Sequence, residues 1–425
     1  MDADSADRAD SAGSAHSAVE RRLPRWSELT PLLRTRPLRT DPVARRLARA
    51  HTIGDLEAIA RRRAPRAVFD YVAGGADGEV SLGRARDAYR RVEFQPQALR
   101  DVSSVDATTS ILARPSALPL VLAPTGFTRM MQYEGEPAVA RAARAAGIPF
   151  ALSTMGTTSP EGVAAAAPGG EHWFQLYLWR DRAASEQLVD AARAAGFDTL
   201  VLTVDTPVPG RRLRDVRNGL TIPPTLTART VADMSRHPAW WFNLLTTRPL
   251  EFASVTSFDG TVAELVAAMF DPALDLTDLE WLRREWTGKL VVKGVLSVAD
   301  AGRVVDAGVD AVVLSNHGGR QLDRAPTPLE LLPEVVAAVG DRVEVYVDTG
   351  ITNGGDIAAA VGLGATAVLV GRAYLYGLMA GGQRGVEHAV AILSTELVRT
   401  MQLVGARTLD ELQGRVRLRR EGSTA

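Results

Sequence analysis

The feature that most constrains this chain is a repeat. Eight short apolar runs occur at 119–123, 150–153, 172–177, 199–205, 290–293, 311–315, 343–348 and 367–371. Helical periodicity fills most of the gaps, at 136–146, 182–195, 278–286, 298–307, 328–339 and 355–363. Gly147, Gly196, Gly308 and Gly340 follow four of these stretches, where a residue tolerant of left-handed backbone ends a helix. Runs of this length that feed helices pair in parallel. Eight such units predict an α/β fold, a closed (β/α)8 or TIM barrel, with an open doubly wound sheet as the alternative. With 46% of 425 residues hydrophobic, one large core is affordable in a single barrel domain over about 51–415.

Two segments break the rhythm. About 85 residues separate the fourth run from the fifth, which predicts an insertion over about 211–285. It carries Pro223-Pro224 and the aromatic cluster Trp240-Trp241-Phe242, which can pack on the barrel or enter a bilayer interface. Ahead of the barrel, 53–63 and 65–71 read as helices covering one end. Residues 1–18 alternate Ala, Ser and Asp without an apolar stretch, and read as a disordered tail that is no export signal. Residues 19–50 form a basic arm with nine arginines between 20 and 50, suited either to the barrel surface or to anionic lipid. Residues 416–425 read as a C-terminal tail. The Gly- and Ala-rich uncharged run 357–371 is too short to span a membrane, so the sequence is read as cytoplasmic, with peripheral contact on the inner face of the cell membrane left open.

Charge and cysteine content narrow the chemistry. With 49 basic and 50 acidic residues, the chain lacks the basic excess of a nucleic-acid binder. Its zero cysteines exclude disulfides, iron–sulfur ligation and thiol nucleophiles. The six histidines show no paired metal-ligand spacing, and no metal site is expected. A nicotinamide enzyme is disfavoured because no strand leads into a well-placed G-x-G-x-x-G. Lysine occurs twice, at 289 and 293, and Lys293 stands inside an apolar run where its charge needs an anion.

In a (β/α)8 barrel the C-terminal strand ends face the active site. Here those ends read Gln175-Leu176-Tyr177, Thr203-Val204-Asp205, Lys293-Gly294, Ser315-Asn316-His317, Asp348-Thr349-Gly350 and Gly371-Arg372. Polar residues collect repeatedly at one end of apolar strands. Glycines and Thr352 after the seventh run, with Gly371-Arg372 after the eighth, suit a phosphate-bearing ligand. His317 and Arg320, three residues apart on a glycine-rich turn, suit an anionic substrate that loses a proton.

These residues, with Phe69-Asp70-Tyr71, Ala123-Pro124-Thr125-Gly126 and the run Ser315 to Asp323, resemble the FMN-dependent L-2-hydroxy-acid dehydrogenases and oxidases. The similarity runs from about residue 52 to 412. Within that family the chain looks closest to the actinobacterial, quinone-linked L-lactate dehydrogenases. The resemblance implies His317 as base and Asp205 as its partner. It implies Arg320 and Arg212 as carboxylate clamps, Arg212 being chosen over Arg211, and Tyr71 and Tyr177 as hydrogen-bond donors to substrate. FMN contacts would come from Pro124, Thr125, Gly126, Ser153, Gln175, Thr203, Lys293 and Ser315. Phosphate contacts would come from Asp348, Thr349, Gly350, Thr352, Gly371 and Arg372.

One position departs from the family. Thr352 stands where an arginine is usual near the phosphate, which implies weaker FMN binding unless backbone amides, the Thr352 hydroxyl and Arg372 suffice. Gly126 resembles the dehydrogenases more than the oxidases, and Met155 leaves room for the side chain of L-lactate or a longer acid. The resemblance implies oxidation of L-lactate to pyruvate with electrons passing to quinone, and a homo-oligomer such as a tetramer. An oxygen-using oxidase and, from another class, a non-catalytic barrel that binds a phosphorylated ligand are the alternatives.

Overall fold

The computed structural model describes residues 22–33, 40–219, 227–250, 252–253 and 269–419. The expected tail at 1–18 and Pro223-Pro224 lie outside the described residues. Eight parallel strands close into a barrel. They are β1 (Leu120–Leu122), β2 (Phe150–Ser153), β3 (His172–Leu176), β4 (Thr199–Thr203), β5 (Lys289–Val295), β6 (Ala311–Leu314), β7 (Glu344–Val347) and β8 (Ala367–Val370). Closure comes from β8 against β1, with Val368 beside Leu120 and Val370 beside Leu122. The open sheet is thereby excluded.

Strand periodicity divides the core into two layers. Val121, Ala151, Trp173, Val201, Val291, Val313, Tyr346 and Leu369 fill the barrel, and Trp173 stacks on Tyr346 at 6.1 Å. Their neighbours Leu120, Leu122, Leu152, Phe174, Leu200 and Val312 pack outward into the helical layer. Side chains on both faces are apolar, which is why the runs lack alternation. A short antiparallel pair, Thr109–Ile111 with Arg114–Ser116, brings Ile111 and Leu112 into the inner cluster.

The surrounding helices start where the sequence offers oxygen caps. Ser159, Asp181, Ser297 and Asn353 each accept a backbone N–H from the first turn of the helix that follows, a device worth about 0.5–2 kcal/mol apiece. Gly147, Gly196 and Gly308 take positive φ after their helices. Gly340 does not: its φ is −68°, and it ends the helix Pro328–Val339 in right-handed backbone. Helices Ile53–Arg63, Arg66–Ala73 and Val80–Arg90 precede the barrel, burying Ile53, Leu56, Phe69 and Val72. The insertion contributes Leu213–Asn218, Ala228–Met234 and Pro238–Thr246 before Leu276–Glu285 leads into β5. Residues 416–418, read from sequence as tail, form a strand with Val92–Phe94.

Among the described residues no helix is long and apolar enough to cross a membrane. In the N-terminal segment, Leu23, Trp26 and Leu32 are exposed.

Candidate active site

The strand ends converge on one open cavity of about 1540 Å³, solvent at its mouth included. Tyr71 comes from the helix Arg66–Ala73, Tyr177 follows β3, Lys293 sits on β5, and His317 and Arg320 follow β6. The loops after β7 and β8 supply Asp348 to Thr352 and Gly371-Arg372.

His317 is held by backbone as much as by side chains. It adopts φ 59°, followed by Gly318 at 67° and Gly319 at 72°. A run of left-handed residues is open to glycine but costs a side-chain-bearing residue about 1–2 kcal/mol. Ser315 Oγ accepts the His317 N–H at 3.0 Å, accepts from Lys293 Nζ at 3.0 Å, and donates to Asp348 Oδ2 at 2.8 Å. Imidazole Nδ1 lies 3.0 and 3.2 Å from the two Asp205 oxygens. That approach depends on Gly294, at φ 105°, because a Cβ there would sit 2.7 Å from Asp205 Cβ. Gly294 belongs to a bulge in β5, which also aims Lys293.

Burial pushes the His317 pKa down, Asp205 pushes it up, and Lys293 and Arg320 push it down again; the net value is below the ordinary 6.5. Burial alone would raise Asp205, but the neighbouring His317 and Lys293 hold its carboxyl below the usual range. Both shifts agree on an ionised Asp205 beside a neutral imidazole at neutral pH. With Nδ1 engaged by the carboxylate, Nε2 is left to accept a proton.

Two guanidinium groups flank Tyr71, with Arg320 4.8 Å and Arg212 5.5 Å from the ring centroid. Arg212 Nε donates to Asp215 Oδ2 at 2.9 Å, whereas Arg320 donates to the carbonyls of Tyr71 and Gly74. Burial lowers Arg320 to about 10, assisted by repulsion from Arg212, so it stays charged at neutral pH. Arg211 turns away to Asp77 at 2.8 Å. Of the arginine pair, Arg212 is the one lining the cavity. Desolvation, with Asp205 nearby, raises the Tyr177 phenol and keeps it a hydrogen-bond donor. An anion entering between Arg212 and Arg320 would therefore meet two cations and two phenols, with an imidazole base beside them.

The matching family model, FMN-dependent dehydrogenase, covers residues 60–419. The chain belongs to that family. It is 56% identical over 407 residues, 95% of this chain and 98% of the other, to a Mycobacterium tuberculosis protein provisionally described as an L-lactate dehydrogenase. An L-lactate oxidase of a Nostoc species is 42% identical, with 84% of this chain and 95% of that one aligned. Among solved structures, a monotopic membrane (S)-mandelate dehydrogenase superposes with TM-score 0.84 at 37% identity, over 87% of this chain and all of that one. As an FMN-dependent dehydrogenase of this family, the chain is an oxidoreductase acting on 2-hydroxy acids, with FMN as cofactor.

The residues present fit FMN. Gln175 Nε2 and Thr203 Oγ1 are buried without a hydrogen-bond partner, at two strand ends where a flavin ring would need polar contacts. Lys293 is a buried ammonium whose anionic neighbour is Asp348, at 3.4 Å. The helix Arg372–Gly381 starts at Gly371 with no side-chain cap, so its first N–H groups are open to a phosphate.

Pro124, Thr125, Gly126, Ser153, Met155, Thr349 and Gly350 also line the cavity, while Gln175, Thr203, Asp205 and Ser315 are not among its lining residues. Ser153 Oγ reaches Gln175 Oε1 at 2.9 Å. Thr352 lines the cavity, but its hydroxyl and N–H both donate to Asp356, at 3.2 and 2.7 Å. Glu396 takes the Gly354 N–H at 2.9 Å. The helix start after β7 is thus satisfied by the protein's own carboxylates, and the Thr352 hydroxyl is engaged by Asp356. Sequence reasoning also missed Gln321, whose amide donates to the carbonyls of Asp205 and Val208 and accepts from Gly210 N–H. Phe270, which packs on Tyr177 at 5.6 Å, and Arg86 were likewise unmarked.

Proposed function

We propose that the chain oxidises L-lactate, or an L-2-hydroxy acid of similar size, to the 2-keto acid and delivers the electrons to a membrane quinone. The observation carrying the chemistry is the neutral His317, bonded through Nδ1 to Asp205, beside Arg212 and Arg320. Arg320 and Arg212 clamp the substrate carboxylate, and Tyr71 and Tyr177 donate to its carboxylate and hydroxyl. His317 Nε2 accepts a proton from the carbinol group, and Asp205 stabilises the resulting imidazolium. FMN, when bound, supplies the two-electron acceptor. Gln175, Thr203, Lys293 and Ser315 hold its ring system, with Pro124, Thr125, Gly126 and Ser153. Asp348, Thr349, Gly350, Gly371 and Arg372 serve its ribityl phosphate end.

Met155 forms the wall for the substrate side chain. A Cβ at Gly126 would stand 2.8 Å from Met155 Cβ, so glycine there keeps that wall in place. The lactate-linked names of close relatives support the substrate. Quinone and a peripheral position on the inner membrane face are supported by the helix Pro238–Thr246. Its Trp240 is anchored to the Met130 carbonyl at 2.8 Å while Phe242 and Leu245 stay exposed. The test is anaerobic and aerobic turnover of L-lactate with a quinone analogue. Quinone reduction without stoichiometric hydrogen peroxide is expected; peroxide formed one for one with pyruvate would identify an oxidase instead.

A further inference from the structure

We propose that Arg86, on the helix ahead of the barrel, supplies the second cation to the FMN phosphate in place of the arginine missing at Thr352. The assignment rests on FMN as the cofactor. Arg86 is half-buried on the helix Val80–Arg90 and lines the same cavity wall as Asp348 to Thr352, Gly371 and Arg372. The loop after β7 rests against this helix: Gly350, at φ 92°, lies so close that a Cβ would stand 2.9 Å from the Ala85 carbonyl and 3.0 Å from the Tyr89 ring. The residue after Ala85 is therefore set beside the phosphate loop by backbone contact.

Charge accounting points the same way. Other arginines of this helix are spent, Arg84 on Glu330 at 3.8 Å and Arg90 on Asp87 at 2.7 Å. Arg86 forms no ion pair among the described residues. Arg372 is buried and gives its Nε and one terminal nitrogen to the carbonyls of Val72, Gly74 and Gly318, with no carboxylate of the described residues within salt-bridge distance. Burial lowers its pKa and Arg86 lowers it further, so the two cations repel across the cavity wall. A dianion between them, at the uncapped start of the helix Arg372–Gly381, relieves that repulsion. Helix Val80–Arg90 is itself pinned to the His317 segment, because Asp323 accepts the N–H groups of Gly78 and Ser81 at 3.1 and 2.8 Å. The phosphate cation and the base are thus tied to one short stretch of chain.

The test is flavin release from the holoenzyme on dilution, read by recovery of flavin fluorescence, for protein loaded with FMN or with riboflavin, which lacks the phosphate. Arg86→Gln is expected to weaken FMN retention by roughly 10- to 100-fold while leaving riboflavin unchanged. Arg86→Lys should recover part of the loss, and adding Thr352→Arg to Arg86→Gln should restore most of it. Arg84→Gln, on the same helix, should retain FMN as the parent does. Wild-type FMN retention in Arg86→Gln, or equal loss of FMN and riboflavin, would overturn the assignment. A parent protein that takes up neither flavin would overturn the cofactor reading beneath it.

Discussion

Replacing Asp205 by asparagine isolates what its charge does for His317. The carboxylate lies 3.0 Å from imidazole Nδ1 and its side chain is 8% exposed, so little water screens the pair. At 3 Å and an effective dielectric of about 20, a full charge pair is worth about 5 kcal/mol. Asparagine keeps a hydrogen bond to the ring, and part of the charge effect is already present before the proton moves. About 3–4 kcal/mol should therefore be lost from the transition state, a fall of roughly 100- to 1000-fold in rate. The assay is anaerobic stopped-flow mixing with L-lactate, following the flavin absorbance. Because Asp205 raises the His317 pKa, its neutralisation should also move the acid limb of the pH profile further down. A rate within fivefold of the parent, or an acid limb that moves up, would refute the pairing.

For the parent enzyme, the acid limb of kcat/KM should fall below pH 6.5. The net shift of His317 is downward, so the neutral, proton-accepting ring is retained until the pH drops through that lowered value, and a limb above 6.5 would contradict this. Gly294→Ala places a Cβ 2.7–2.8 Å from Asp205 on backbone at φ 105°, a strain of about 1–3 kcal/mol. Flavin bleaching by L-lactate should slow at least about tenfold with FMN still bound; an unchanged rate would show that the approach of Asp205 is not limiting. Phe242→Asp with Leu245→Asp should abolish retention on anionic lipid vesicles at low salt, since both side chains are exposed, while turnover with a soluble dye acceptor stays at the parent level. Retention by the double variant would place the lipid contact elsewhere.

The barrel was legible because strand and helix obey different periods, and all eight strands fall within two residues of the runs read from sequence. Strand ends were legible for the same reason: Gln175, Thr203, Lys293 and Asp348 are polar residues at the ends of runs that are otherwise apolar. What escaped depends on contacts between distant segments. Arg86 is one arginine among many in an ordinary helix, and only the Gly350 contact sets it beside the phosphate loop. Thr352 appeared free because its partner, Asp356, reads as a helix-capping residue and its competition for the hydroxyl is visible only in three dimensions. Of the insertion's helices, Leu276–Glu285 was read from sequence, whereas Pro238–Thr246 escaped because it is apolar on most sides and offers no clear amphipathic stripe. Gly340 ends its helix as read, but in right-handed backbone, because a glycine after a helix permits left-handed backbone without requiring it.

The most direct measurement of the central claim is the visible spectrum of the purified holoenzyme before and after anaerobic addition of L-lactate. Yellow flavin bands that bleach within the mixing time of a conventional experiment, in the parent but not in His317→Gln, are the expected result. Bands that persist in the parent, or that bleach equally fast without His317, would contradict a cavity in which this imidazole takes the proton of a 2-hydroxy acid.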